Sequence, residues 1–289
     1  MNKEDSNFYD QAFSRNRGLI SECEQEILKN TRVAIPGMGG MGGVHAASLA
    51  RTGIGKFTIA DFDEFGVHNI NRQYGATAST VDKDKVQVMA GIIKDINPSA
   101  EITVINRAIG ADNVDDFLAE VNVMIDALDV FVMDARLMLY KKARDLDIPV
   151  ISAGPIGFSA VVNVFSPNGM SFEDFFGLEA HMSEQEIMQC FFAGIPSGPH
   201  MRYMDLKGVD PVTGVAPSLG LACQMGAGIA ATEVIRYVLG RGEMKVVPWF
   251  FQFDPYARYY KQHYRWLGGR NPLFQLKKQI VKRKIPALK

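Results

Sequence analysis

Residues Arg32 to Gly42 read RVAIPGMGGMG: a short apolar β-type run, then Gly37, Gly39, Gly40 and Gly42. The helix-like stretch GVHAASLARTG comes next, and a second apolar run, KFTIAD, ends at Asp61. A strand turning into a helix aims free backbone N–H groups and the positive end of the helix dipole at one place, which suits an anion. Glycines let the backbone turn sharply and approach phosphates closely. An acidic residue roughly 20 positions downstream is placed to accept hydrogen bonds from ribose hydroxyls. Gly37, Gly39, Gly40, Gly42 and Asp61 are therefore candidate nucleotide-binding residues of a Rossmann-like unit. A turn serving only chain reversal is the alternative.

Beyond this unit the chain gives NINRQ (Asn69–Gln73), Lys85 after a short charged stretch, and VNVMIDALD ending at Asp129. A nicotinamide dehydrogenase needs no strong cation cluster here, because backbone dipoles neutralise most of its pyrophosphate. A triphosphate being cleaved does need cations, as negative charge moves onto the leaving group. Arg72 supplies a planar fork and Lys85 a point charge. Asp129, at the end of an apolar run, is expected at the carboxyl edge of the sheet, where such folds bind ligands. A carboxylate there suits Mg²⁺, which prefers hard oxygen ligands.

With these residues in view, the chain resembles the ThiF/MoeB superfamily, the adenylating enzymes that activate ubiquitin and ubiquitin-like proteins, from about Phe13 to about Gly240. PGMGGMGG is similar to that family's GxGGxGS turn, and ADFDEFGVHNINRQ to its DxDxVxxxNxxRQ segment. DKDKVQVMAGIIKDINP resembles its lysine-bearing helix, DALDVFVMDAR its DxxDNxxxR stretch, and GVAPSLGLACQMGAGIAATEVIRYVLG its late helix. The resemblance implies a nucleotide on Gly39 and its neighbours and ribose on Asp61. It puts triphosphate on Asn69, Arg72 and Lys85, and Mg²⁺ on Asp129. FSRN is similar to the family's YSRQ, which implies that Arg15 reaches into a partner subunit's site. Three departures stand out. Val130 replaces the asparagine after the last aspartate, Gly43 the serine closing the turn, and Pro36 enters just before it. Many relatives also carry two CxxC pairs that form a zinc site. This chain has only Cys23, Cys190 and Cys223, far apart, so no structural zinc is expected.

Composition sets the frame. A chain of 289 residues, 47% hydrophobic and 22% charged, can bury a full core. A net charge of −1 argues against global attraction to nucleic acid. Three scattered cysteines and no apolar leader in MNKEDSNFYD predict a reducing, cytoplasmic setting. The apolar run 216–239 holds Gln224, Glu233 and Arg236 and reads as a buried helix rather than a membrane span. The runs RVAIP, KFTIAD, EITVIN, VNVMID and PVISA alternate with helical patterns, which implies an α/β, doubly wound, mainly parallel sheet. GFSAVVNVFSP follows without a helix, so antiparallel strands continue that sheet. The expected organisation is one adenylation domain over 1–289. It has an N-terminal helical arm (1–30), a crossover or lid segment (167–214) with some helix of its own, and a basic C-terminal tail (266–289). That tail packs seven Lys/Arg and no acid into its last 20 residues. It reads as a solvated basic helix face, a docked helix, or a surface for an anionic partner.

Cys190 lies in the crossover segment. It is either a nucleophile toward an activated acyl group or a packed thiol among apolar neighbours. Cys223 reads as core. His45, His68 and His200 carry little signal. The reading as a whole is an ATP- and Mg²⁺-dependent adenylyltransferase acting on a carboxylate. The resemblance implies the C-terminus of a ubiquitin-like or sulfur-carrier protein as that carboxylate, and a homodimer. Adenylation of a carboxylate on a modified tRNA nucleoside is a second reading. A non-catalytic nucleotide-binding subunit is a third.

Overall fold

In the computed structural model, residues 3–205 and 217–284 are described. Among these residues eight strands form one sheet: β1 (Arg32–Pro36), β2 (Lys56–Ala60), β3 (Glu101–Ile105), β4 (Val123–Asp126), β5 (Val150–Ile156), β6 (Ser159–Phe165), β7 (Trp249–Asp254) and β8 (Tyr259–Tyr264). Their order is β3-β2-β1-β4-β5-β6-β7-β8. The first five run parallel, and β6, β7 and β8 continue antiparallel from β5. The doubly wound, mainly parallel sheet with antiparallel strands at one end is thus as the sequence led us to expect. Pro36, the last residue of β1, costs nothing there, and Gly37 N–H extends the ladder to Ala60 O at 2.7 Å.

The helices are α1 (Lys3–Ala12), α2 (Glu22–Asn30), α3 (Gly42–Thr52), α4 (Lys85–Ile96), α5 (Val114–Leu118), α6 (Met133–Asp145), α7 (Phe172–Phe176), α8 (Glu184–Gly194), α9 (Gly220–Val238) and α10 (Pro272–Lys284). Strand residues alternate between two cores because successive side chains face opposite sides of a sheet. Val33, Ile35, Phe57 and Ile59 pack with α3, α4 and α9, while Ala34, Ala60 and Met124 pack with α5, α6 and α7. Phe57 and Phe117, both fully buried, anchor one core each. Truncating either to alanine should cost about 3–5 kcal/mol.

The N-terminal arm is two helices folded onto the body. Ser21 caps α2 in a capping box with Glu24. Tyr9 and Phe13 are buried, and Tyr9 O–H donates to Gly53 O at 2.5 Å. The crossover segment carries α7, α8 and a 3-10 turn at Pro199–Arg202. The stretch 206–214 of that segment lies outside the described residues. The late helix begins at Gly220, four residues into the apolar run. Of the readings for the basic tail, the docked helix holds: Phe274 of α10 is buried, and Lys277 Nζ donates to Ile195 O just past α8. β4 stops at Asp126, the end of the run VNVMID, and Asp129 lies three residues on, in the loop at the carboxyl end of the strand. The Asp126 side chain turns inward to a buried partner.

Candidate nucleotide site

The strand order reverses between β1 and β4, so the helices after these two strands leave on opposite faces and open a crevice at their carboxyl ends. The glycine turn fills that crevice. Gly37 has φ +94°, and a Cβ on it would stand 2.7 Å from Ala127 O in the loop after β4. A Cβ on Gly42, at the start of α3, would strike the Gly37 carbonyl. Both glycines are thus required by close backbone approach. Asp61, just past β2, faces the turn: its Oδ2 accepts from Met38 N at 2.6 Å and its Oδ1 from Asp63 N at 2.8 Å. Two backbone donors fix the carboxylate against the turn.

The NINRQ segment folds over this turn. Arg72 Cγ is 3.7 Å from the Cβ position of Gly40, and Gln73 Nε2 is 3.6 Å from that of Gly39. Asn71 Nδ2 donates to Ser218 O at 3.0 Å, tying the segment to the entry of α9. Arg72 Nη1 donates to His68 O and Asn71 Oδ1, both at 2.9 Å. Asn69 is buried and accepts from Gly66 N at 2.9 Å, closing the 3-10 turn Val67–Asn69. Its carbonyl oxygen therefore serves the loop's shape. Lys85 opens α4 and is buried, with Nζ 3.0 Å from Asp63 Oδ2. Asp63 links the two halves, since its N–H meets Asp61 and its carboxylate meets Lys85. Nothing but its place in ADFDE marked it in the sequence.

Asp129 is exposed in the loop after β4, and its Oδ1 accepts from Phe131 N at 3.1 Å. Among the described residues, no group of three or more His, Cys, Asp or Glu side chains could enclose a metal. A lone carboxylate in a loop that abuts the glycine turn fits Mg²⁺, which usually takes one or two carboxylates and completes its shell with water and a ligand's phosphates.

Arg15 stands apart from the cluster. It is exposed in the 3-10 turn between α1 and α2, and its neighbour Asn16 donates to Thr52 O at the far end of α3. The length of α3, about 16 Å, separates that end from the glycine turn. Within its own chain Arg15 does not approach the crevice.

Among the buried groups, the pairing of Asp126 with Arg136 and Tyr140 went unread in the sequence. Asp126 pairs with Arg136 of α6 at 2.9 Å, and Tyr140 O–H donates to the same Asp126 oxygen at 2.9 Å. His45, in the first turns of α3, is fully buried, and neither ring nitrogen has a hydrogen-bond partner among the described residues. Burial holds its pKa down to about 4, against the opposing pull of Asp126. Cys223 of α9 lies under the turn, 3.3 Å from the Cβ position of Gly40. Cys190 follows the packing reading: it is fully buried, 3.8 Å from Gly177 O, and burial pushes its thiol pKa up. His200 is buried against Gln252, 2.8 Å from Nδ1. No described helix is long and apolar enough to cross a membrane.

The family model described as "ThiF family" matches residues 13–265. The chain belongs to the ThiF family. It is similar to a tRNA threonylcarbamoyladenosine dehydratase of Bacillus subtilis, 37% identical over 142 residues, which span 49% of this chain and 55% of that protein. A molybdopterin-synthase adenylyltransferase of Haemophilus influenzae is 27% identical over 173 residues, 59% of this chain and 69% of that one. The matches to the first of these and its counterparts in other bacteria span little more than half of the relatives' length. Among solved structures, PaaA superposes with a TM-score of 0.67 at 21% identity, over 91% of this chain and 74% of that one. That likeness shows the shared ThiF-type fold.

Proposed function

We propose that this ThiF-family chain is a single adenylation domain that activates a carboxylate with Mg²⁺ and ATP. The observation that carries the reading is the convergence of Asp61, Arg72 and the Asp129 loop on the glycine turn, with Lys85 joined through Asp63. In this reading Gly37, Gly39, Gly40 and Gly42 take the phosphates on backbone N–H groups, and Asp61 takes the ribose. Arg72 and Lys85 bear the charge that builds on the departing pyrophosphate. Asn69 holds the loop that carries Arg72. Asp129 would hold Mg²⁺, which supplies charge neutralisation on the triphosphate when bound. The carboxylate attacks the α-phosphorus, the bond to the bridging oxygen breaks, and pyrophosphate leaves. Acyl-adenylate remains. Positioning and charge stabilisation carry such a reaction, with little demand for an acid or base.

The substrate is, in this proposal, the C-terminal carboxylate of a ubiquitin-like or sulfur-carrier protein. A homodimer would supply Arg15 in trans. Three unpaired cysteines suit a reducing cytoplasm. A second reading, a carboxylate on a modified tRNA nucleoside, is supported by the 37% identity to a tRNA threonylcarbamoyladenosine dehydratase. ATP–pyrophosphate exchange separates the two. The purified protein is assayed with Gly-Gly-ending carrier proteins and, separately, with tRNA bearing the carboxylated nucleoside. Carrier-dependent exchange supports the first reading, and tRNA-dependent exchange the second. Mg·ATP binding with no exchange on either would leave a non-catalytic nucleotide-binding subunit.

A further inference from the structure

The loop carrying Asp129 is held by a buried ion pair to which the nucleotide reading gives no task. Asp126 ends β4 and Arg136 lies in the first turn of α6, with side chains 5% and 4% exposed. Arg136 Nε donates to Asp126 Oδ2 at 2.9 Å, and Tyr140 O–H donates to the same oxygen at 2.9 Å. The other oxygen, Oδ1, accepts from Leu128 N at 3.1 Å. The rest of the guanidinium turns to the loop. Its Nη2 donates to Leu128 O at 2.8 Å and to Asp129 O at 3.0 Å, and its Nη1 reaches Val130 O at 3.5 Å. Three successive carbonyls therefore converge on one cation. A planar fork with five N–H donors can hold them together with a carboxylate, whereas the single ammonium of a lysine cannot.

This geometry has two consequences. With the carbonyls of residues 128–130 drawn inward, the Asp129 side chain is left outside, where it is exposed. The loop also abuts the phosphate turn, because Ala127 O is the atom that keeps Gly37 free of a Cβ. A shift of the loop would therefore move the Asp129 carboxylate relative to the glycine turn. A buried ion pair is an inefficient way to stabilise a fold, since apolar residues of the same volume often do as well. It is an effective way to fix a backbone. The local sequence agrees: Val130 stands where the family has an asparagine, so that position offers the site only a backbone carbonyl, and Arg136 holds it.

We propose that Arg136, with Asp126 and Tyr140, is the positioning device of the metal site: it sets the loop that presents Asp129 to the metal on the bound triphosphate. Arg136 touches no substrate and acts only through the loop. The proposal rests on the adenylating reading of the site, and its test separates the two. ATP binding is measured by titration calorimetry in excess Mg²⁺ and in EDTA, and the ratio of the two affinities is the readout. Wild-type protein should bind more tightly with Mg²⁺, and Asp129→Ala should lose that enhancement. Arg136→Lys keeps a charge opposite Asp126 but lets the carbonyls go. It should cut the enhancement by about 10–100-fold, the usual effect of losing a partner behind a metal ligand, or abolish it if the wild-type gain is smaller. Its affinity in EDTA should match wild type.

Should Arg136→Lys fail to fold, Asp126→Asn/Arg136→Met removes both charges together and is read in the same way. A folded variant with the full Mg²⁺ enhancement overturns the positioning role and leaves the adenylation reading intact. Equal losses of affinity with and without metal, together with a lowered Tm, also overturn it, since they mark a purely structural pair. Absence of any Mg²⁺ enhancement in the wild type removes both the metal role of Asp129 and the device behind it.

Discussion

Lys85 and Asp63 form a contact that an arriving triphosphate would have to share. Lys85 is buried and Asp63 half exposed, so the lysine is poised at the crevice with its charge already partnered. Among the described residues, Arg72, half-buried, bonds to groups of its own segment, His68 O and Asn71 Oδ1, and can turn to phosphate at small cost. Arg72→Ala and Lys85→Ala should each lower ATP–pyrophosphate exchange by about 100-fold or more. Arg72→Ala should leave stability within about 0.5 kcal/mol, as expected for a side chain outside the core. Circular dichroism melts beside the exchange assay check both statements. His45 makes a second residue-scale prediction. Its folded pKa, about 4, lies below the 6.5 of an unperturbed imidazole. Between those values the unfolded chain binds a proton that the native chain refuses. Stability should therefore fall as pH drops from 6.5 toward 4, by up to about 3 kcal/mol from this group. Urea melts across that range should show a shallower slope for His45→Leu. An unchanged slope would mean that the imidazole is not the group responsible.

At the scale of elements, α10 shows how a basic helix can dock. Lys277 is largely buried, donates to Ile195 O, and has its pKa pulled down to about 8 by burial and by Arg265. Arg265 lies over the rings of Phe175, Phe250 and Phe274 and bonds to Gly194 O at 2.5 Å. With the folded pKa of Lys277 lowered, docking should strengthen as pH rises from 8 to 10.5, because the unfolded chain holds the extra proton in that window. Hydrogen exchange of α10 amides, corrected for the intrinsic pH effect, should show protection rising over this window in wild type but not in Lys277→Met. The sequence showed α10 as a helical pattern with a basic face but left docking as one of three readings, because the buried anchors are one phenylalanine and the stem of a lysine. The strands were legible because each of β1 to β5 is an apolar run bounded by turn residues, and β6 because no helix precedes it. The cluster of glycines, Asp61, Arg72 and Lys85 was legible from residue type and spacing. The buried pair of Asp126 and Arg136 was not, since a charge on an apolar run looks the same whether it faces solvent or a partner ten residues away. Cys223 under the glycine turn was hidden for a similar reason: it comes from a helix nearly 200 residues downstream.

At the scale of the whole molecule, the arm that carries Arg15 folds against the end of α3 remote from the glycine turn, so any catalytic role for Arg15 needs a second chain. On the proposed homodimer, Arg15→Ala and Asp129→Ala proteins are each inactive alone. Mixed and allowed to exchange subunits, each hybrid dimer holds one site with both residues intact. Exchange activity should then return to about half of wild type per hybrid dimer, because the two sites act independently in this account. A lack of recovery despite subunit exchange proven with tagged chains, or a monomer by light scattering, would return Arg15 to the ordinary surface. On the proposed reading, the crevice between β1 and β4 is built for a metal-bound triphosphate rather than a nicotinamide dinucleotide. Calorimetric titration of the purified protein with Mg·ATP and with NADH decides between them. One Mg·ATP should bind per chain, binding should be lost in Arg72→Ala/Lys85→Ala, and NADH should give no heat. Saturable NADH binding with none for Mg·ATP would contradict that reading.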